Sequence, residues 1–166
     1  MKRFHVWFLW PLIAALSAPA FSLASENEDE GQLLPRVANA KWKTECASCH
    51  TLYHPGLLPE RSWRKLMGGL DKHFGDNASL DPPAQKEITD FLVKHSARAG
   101  SRYAKSVPAG ATPLSMTETA WFKREHREVR ADVWKRTKVG SASNCVACHK
   151  GADEGGFSER GVAIPR

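Results

Sequence analysis

Cys46-Ala47-Ser48-Cys49-His50 and Cys145-Val146-Ala147-Cys148-His149 repeat one pattern, C-x-x-C-H, and together they use all four cysteines of the chain. This pattern reads as a c-type haem attachment site. The chemistry explains the spacing. Two thiols three positions apart, on one turn, can each form a thioether to the two vinyl groups of one haem. The histidine that follows then faces the iron from the same side, and imidazole is a standard axial ligand of haem iron. The cofactor expectation is therefore two haem c groups, held by Cys46, Cys49 and His50 and by Cys145, Cys148 and His149.

Three other uses of the cysteines account for less. Disulfides suit an oxidising compartment, but each would join cysteines three apart, and so tight a loop constrains little. A Cys₄ zinc site would span the 99 positions from Cys46 to Cys145 and leave both motif histidines unexplained. A thioredoxin-like pair needs a βαβ context, and no alternating strand pattern of useful length is present.

The chain starts with the order of a secretory signal peptide: charge at Lys2-Arg3, a mostly apolar run over Phe4 to Leu16, then small residues at Ser22-Leu23-Ala24. The apolar run falls short of the roughly 20 residues that span a bilayer. Cleavage after Ala24 would leave 142 of the 166 residues, with no later membrane span. The alternative is an uncleaved anchor. Removing Lys2 and Arg3 from a net charge of +6 leaves +4, and four haem propionates would offset much of that. The positive charge is scattered, so the basic balance implies no nucleic-acid partner. Aliphatic residues are sparse after residue 24, which fits a core completed by large apolar cofactors.

Residues 25–36 read as a disordered acidic N-terminus. Residues 37–166 read as one dihaem domain: a first haem half at about 37–98, a linker at about 99–115, and a second haem half at about 116–166. A helix is expected over Val37 to Thr51, running into the first motif with Trp42 for packing. Leu52 to Pro59 is a loop. Ser62 is a candidate cap for a helix carrying Trp63, Leu66, Leu70 and Phe74 at helical spacing, with His73 on the same side and Gly75 as its stop. Asp81-Pro82 opens another helix, with Ile88, Phe91, Leu92 and His95 as its stripe. A long helix is expected from Thr117 to about Lys135, with His126, Val129 and Val133 on one face. The tail from Gly151 reads as irregular.

Each iron needs a sixth ligand or keeps an open site. His73 and His126 are the preferred ligands. Each sits on the apolar face of an expected helix, where an unpartnered imidazole costs free energy. Each is also 23 positions from a motif histidine, far enough to fold back over the opposite haem face. His95 is the substitute. Met67 and Met116 rank lower. His54, four after His50, is tied to the near side of the first haem and reads as a loop histidine. Sequence proximity pairs His50 with His73 and His126 with His149, while a crossed arrangement stays open. Trp42, Trp63, Trp121 and Trp134 are expected to pack against the porphyrins.

The first motif is followed by Tyr53-His54-Pro55-Gly56-Leu57-Leu58-Pro59, Ser62-Trp63 and His73-Phe74-Gly75. Later come Thr119-Ala120-Trp121-Phe122, His126 and Asn144-Cys145-Val146-Ala147-Cys148-His149. Together these strings resemble the small bacterial dihaem cytochrome c family, over nearly all of the chain after residue 24. The resemblance implies a mostly α fold: a small multi-helix dihaem c-type cytochrome with long loops, its core built around two covalent haems. It implies bis-histidine, low-spin irons and electron transfer in the periplasm. It also implies a membrane b-type cytochrome as donor and a small oxygen-binding haem protein as acceptor. The competing reading is a haem enzyme, peroxidase- or reductase-like, with one open iron. A third is a sensor or subunit held by the N-terminal segment.

Overall fold

The computed structural model describes residues 34–166. The expected signal peptide over 1–24 and most of the acidic stretch 25–36 lie outside the described residues. The described chain is a set of short helices joined by long loops, with isolated bridges but no strand.

Local chemistry sets where each helix starts. In α1 (Ala40–Cys46) the Asn39 side chain accepts from the Trp42 N–H at 2.7 Å, filling one of the donors every helix start leaves open. The helix stops at the first cysteine, short of the expected Thr51. Helix α2 (Glu60–Met67) starts after Pro59, which has no side-chain cap to offer. Ser62 is therefore not the cap. It lies inside the helix, fully buried, and its hydroxyl has no hydrogen-bond partner among the described residues. In α3 (Pro82–Lys94) the Asp81 carboxylate accepts from the Ala84 N–H at 2.8 Å, with proline in the first turn, as expected. A one-turn helix, α4 (Arg102–Lys105), lies in the stretch expected as linker, where Tyr103 and Val107 are buried. In α5 (Ala120–Glu125) the Thr119 hydroxyl accepts from the Phe122 N–H.

Helix α2 packs on α3, and α1 packs on α3 beside it. Trp42 meets Phe91 at 5.1 Å between ring centroids, and the Gln85 side chain donates to the Met67 carbonyl at 2.6 Å. Ile88 and Leu92 of the expected α3 stripe are buried here with Trp63 and Met67. Trp121, Phe122, Tyr103 and Met116 extend the same core toward the second motif. The tail returns to that motif. The Ala163 N–H donates to the Cys148 carbonyl at 2.9 Å, and the Leu34 N–H to the Gly155 carbonyl at 3.3 Å.

Two expected helices break early. The helix through Trp63 does not reach Phe74. It ends at Met67, where Gly68-Gly69 follows, a pair with low helix propensity, and only a 3₁₀ turn at Leu70–Lys72 remains. Phe74 is 66 % exposed rather than part of a buried stripe. The helix expected from Thr117 to Lys135 is reduced to a 3₁₀ turn, the six residues of α5 and a 3₁₀ turn at Val133–Lys135. So short a helix is marginal on its own, and at its end the His126 ring competes for the last turn's carbonyl.

Candidate haem sites

The break after α2 is what places His73. His73 and Asp76 exchange backbone hydrogen bonds of 2.8 and 3.0 Å. Between them stand Phe74 at φ +51° and Gly75 at φ +104°. Two positive φ values in a two-residue connection are the signature of a tight hairpin turn, and a bulky residue in that region is strained. The turn, not a helix face, directs the imidazole. His73 stacks against His50, with 6.1 Å between ring centroids and 25° between planes. Tyr53 also stacks on His50, at 5.0 Å.

The second pair forms differently. His126 closes α5 as its C-cap, and its Nδ1 lies 2.9 Å from the Phe122 carbonyl. Its ring lies on Phe122 at 4.0 Å and 20°. From there it meets His149 at 6.0 Å, with 75° between planes. A carbonyl only accepts, so Nδ1 of His126 carries the proton and Nε2 keeps its lone pair. The same holds for His50, whose Nδ1 lies 2.7 Å from the Thr51 carbonyl. His149 Nδ1 is buried without a hydrogen-bond partner among the described residues. Burial, reinforced by the facing histidine, holds His73 and His149 below the ordinary histidine range. Both therefore offer neutral rings at pH 7.

A largely apolar pocket opens at the second pair. Trp121, Phe122, Trp134 and Met116 line it with Cys145, Cys148, His126 and His149. The irregular tail supplies a wall that sequence periodicity does not signal: Phe157 stands 5.9 Å from His149, edge to face, and Ile164 closes the rim. Trp121 and Trp134 thus line the pocket at the second pair, whereas Trp42 packs on Phe91 and the Trp63 indole donates to the Pro55 carbonyl at 2.7 Å.

Of the remaining candidates, His95 caps the end of α3 and makes its ring contact with Phe91. Met67 is a core residue, and Met116 is a core residue that also lines the second pocket. His54 is a loop histidine, as expected, but a buried one, only 5 % exposed. Its Nδ1 accepts from the Gly56 N–H at 2.9 Å, and its Nε2 donates to the Pro35 carbonyl at 2.9 Å. It clamps the chain at residue 35 to the loop after the first motif.

Burial holds the His54 imidazole below its ordinary 6.5. Protonating Nδ1 would also abolish the bond from Gly56. The unfolded chain therefore binds this proton first as pH falls. Stability linked to His54 is expected in full above pH 6.5 and to decline as pH drops below it. Denaturant midpoints across that range are the check. His54→Ala should lower the midpoint at neutral pH and flatten this part of the pH profile.

The cysteine chemistry fits thioether attachment. No disulfide joins any two of the four cysteines. Burial pushes Cys46 up to about 11, with Glu45 and Cys49 adding to it, and burial raises Cys145 and Cys148 as well. Redox-active C-x-x-C pairs are lowered instead. Among the described residues, no three histidine, cysteine or acidic side chains converge as a metal cluster, so the two cysteine pairs do not build a Cys₄ zinc site.

Residues 42–157 match the family model described as dihaem cytochrome c. The fold is similar to that of a diheme cytochrome c from Rhodobacter sphaeroides at 41 % identity and TM-score 0.68, covering 74 % of this chain and 98 % of that one. It is also similar to a diheme cytochrome type c from Shewanella baltica OS155 at 41 % identity and TM-score 0.66, covering 76 % and 93 %. No curated protein matches the chain. A family match spanning this much of the sequence, with structural relatives at this identity, makes the chain a member of the dihaem cytochrome c family, a haem-binding electron-transfer protein with two c-type haems.

Proposed function

We propose that the protein is a periplasmic electron carrier whose two irons are both closed by histidine pairs, His50 with His73 and His126 with His149. The pairing by sequence proximity, rather than a crossed one, is the reading the ring contacts support. One observation carries the proposal. Two imidazoles bound on opposite sides of one metal, each at about 2 Å, have ring centres roughly 6 Å apart, and the two pairs stand at 6.1 and 6.0 Å.

When bound, haem supplies the one-electron iron couple. The chain does the rest. Cys46 and Cys49 hold one haem as thioethers, and Cys145 and Cys148 hold the other. The carbonyls of Thr51 and Phe122 fix the tautomers of His50 and His126, one histidine in each pair, so that Nε2 is free to bind. Closing both irons keeps geometry and spin state nearly constant as the electron comes and goes. Histidine pairs would set lower potentials than histidine with methionine.

Residues 1–24 would direct export and be removed. Among the described residues no helix is long and apolar enough to cross a membrane. A membrane b-type cytochrome as donor and a small haem protein as acceptor complete the proposal. Optical spectra of the purified protein, oxidised and reduced, with and without carbon monoxide, together with a pyridine haemochrome count, test it. Two haems per chain, low-spin in both states and indifferent to carbon monoxide, are expected. Uptake of carbon monoxide by either haem would instead favour an enzyme with an open site.

A further inference from the structure

Tyr53 stands three residues past His50 and belongs to neither C-x-x-C-H motif. Its half-buried ring stacks on the His50 imidazole, with 5.0 Å between centroids and 26° between planes. Its hydroxyl reaches 90 positions along the chain and donates to the Ser143 carbonyl at 2.9 Å. Ser143 is two residues before Cys145, and the Cys145 sulfur approaches the same carbonyl at 3.6 Å. A single side chain thus touches the histidine of the first motif and, through one carbonyl, reaches a cysteine of the second.

We propose that Tyr53 is the bridge through which the two haem sites exchange electrons. The inference rests on the carrier reading above. Tunnelling decays far more steeply across a through-space gap than along covalent and hydrogen bonds. The route from the His50 ring runs by ring stack to Tyr53, by hydrogen bond to the Ser143 carbonyl, and from that carbonyl to the Cys145 backbone N–H, which donates to it at 3.0 Å. This backbone bond, unlike the S–H contact, does not depend on the thiol proton that Cys145 gives up to thioether formation. One electron moves per event: the site that releases it is oxidised by one charge and the site that receives it is reduced by one.

Tyr53 itself is neither oxidised nor deprotonated. Its hydroxyl keeps its proton as the donor to the Ser143 carbonyl at 2.9 Å. Tyr53 is therefore a positioning residue of the electron path.

The test is intramolecular electron equilibration in the holoprotein after photoreduction of one haem. Tyr53→Phe keeps the stack and removes the hydrogen bond. Tyr53→Leu removes both. The equilibration rate is expected to fall several-fold in Tyr53→Phe and further in Tyr53→Leu, with haem count and low-spin spectra unchanged. A residue that only packs would change stability and leave the rate alone. Unchanged rates in variants with two low-spin haems would overturn the bridge while leaving the carrier reading intact. Carbon monoxide binding by the unsubstituted protein would sink the carrier reading itself. A second measurement needs no variant. By NMR of the unsubstituted holoprotein, the Tyr53 hydroxyl proton should exchange slowly, and exchange at the solvent rate would also overturn the bridge.

Discussion

Replacing His73 by alanine should convert one of the two haems to a high-spin, carbon monoxide-binding form, and replacing His126 should convert the other. These are the largest spectroscopic effects expected of any single substitution. His73 faces His50 at 6.1 Å and His126 faces His149 at 6.0 Å, so each alanine leaves one iron without its sixth ligand. The rest of the core should hold. His73 sits in a tight turn and His126 at a helix end, both half-buried, and neither supports a core layer. Half of the haem should therefore change spin state in each single variant, and all of it in the double. His54→Ala and His95→Ala should leave both haems low-spin. His54 is held by Gly56 and Pro35, and His95 packs on Phe91. Should His95→Ala open an iron while His73→Ala does not, the first distal ligand has been misassigned.

The largest stability effect is expected at Trp63. Its side chain is 5 % exposed, in one core cluster with Leu57, Leu58 and Met67. Its indole N–H donates to the Pro55 carbonyl at 2.7 Å, tying α2 to the loop that follows the first haem motif. Trp63→Ala should cost about 3–5 kcal/mol through lost contacts and the cavity left behind. That is a large share of the ~5–15 kcal/mol by which folded domains are stable. Trp63→Phe keeps most of the volume but loses the indole bond, leaving the Pro55 carbonyl with only the longer bond from the Leu58 N–H at 3.4 Å, for a smaller loss of about 0.5–1.5 kcal/mol. Denaturant unfolding of the holoprotein reads both, and the order wild type, Phe, Ala in falling midpoint is the expected result. Equal midpoints for the two variants would mean that the hydrogen bond, not the packing, dominates.

The proposed haem-binding residues stand out in the sequence more plainly than the secondary structure around them. The C-x-x-C-H spacing points to its chemistry directly, and two irons in need of ligands draw attention to histidines on apolar stripes. That reasoning picks out His73 and His126, which the structure brings against His50 and His149 although the helices assigned to them were too long. Periodicity carried those helices across real breaks. Gly68-Gly69 was a visible signal that ends α2 early, and Gly75 was one for the positive-φ turn that aims His73. No glycine marks the end of α5. There the His126 ring bonds the Phe122 carbonyl of its own helix and folds onto the Phe122 ring, a competition that periodicity cannot register. Ser62 looked like a cap because its residue type favours one, yet the preceding proline starts the helix and buries the serine inside it. The tail and the stretch near Tyr103 looked irregular because their contacts are long-range. Phe157 and Tyr103 find partners set by topology, not by neighbours in sequence.

The two pairs differ in one respect that a single spectrum can read. The planes of His50 and His73 are 25° apart, near parallel, while those of His126 and His149 are 75° apart, near perpendicular. In a low-spin ferric haem the relative orientation of the axial imidazoles sets the splitting of the iron π-orbitals. Near-parallel planes give an ordinary rhombic signal, and near-perpendicular planes give a strongly anisotropic one with a large maximal g value. Low-temperature electron paramagnetic resonance of the oxidised protein should therefore show one signal of each kind, in equal amounts, with no high-spin ferric component. A high-spin signal accounting for half of the iron would contradict the central claim that four histidines close both haems.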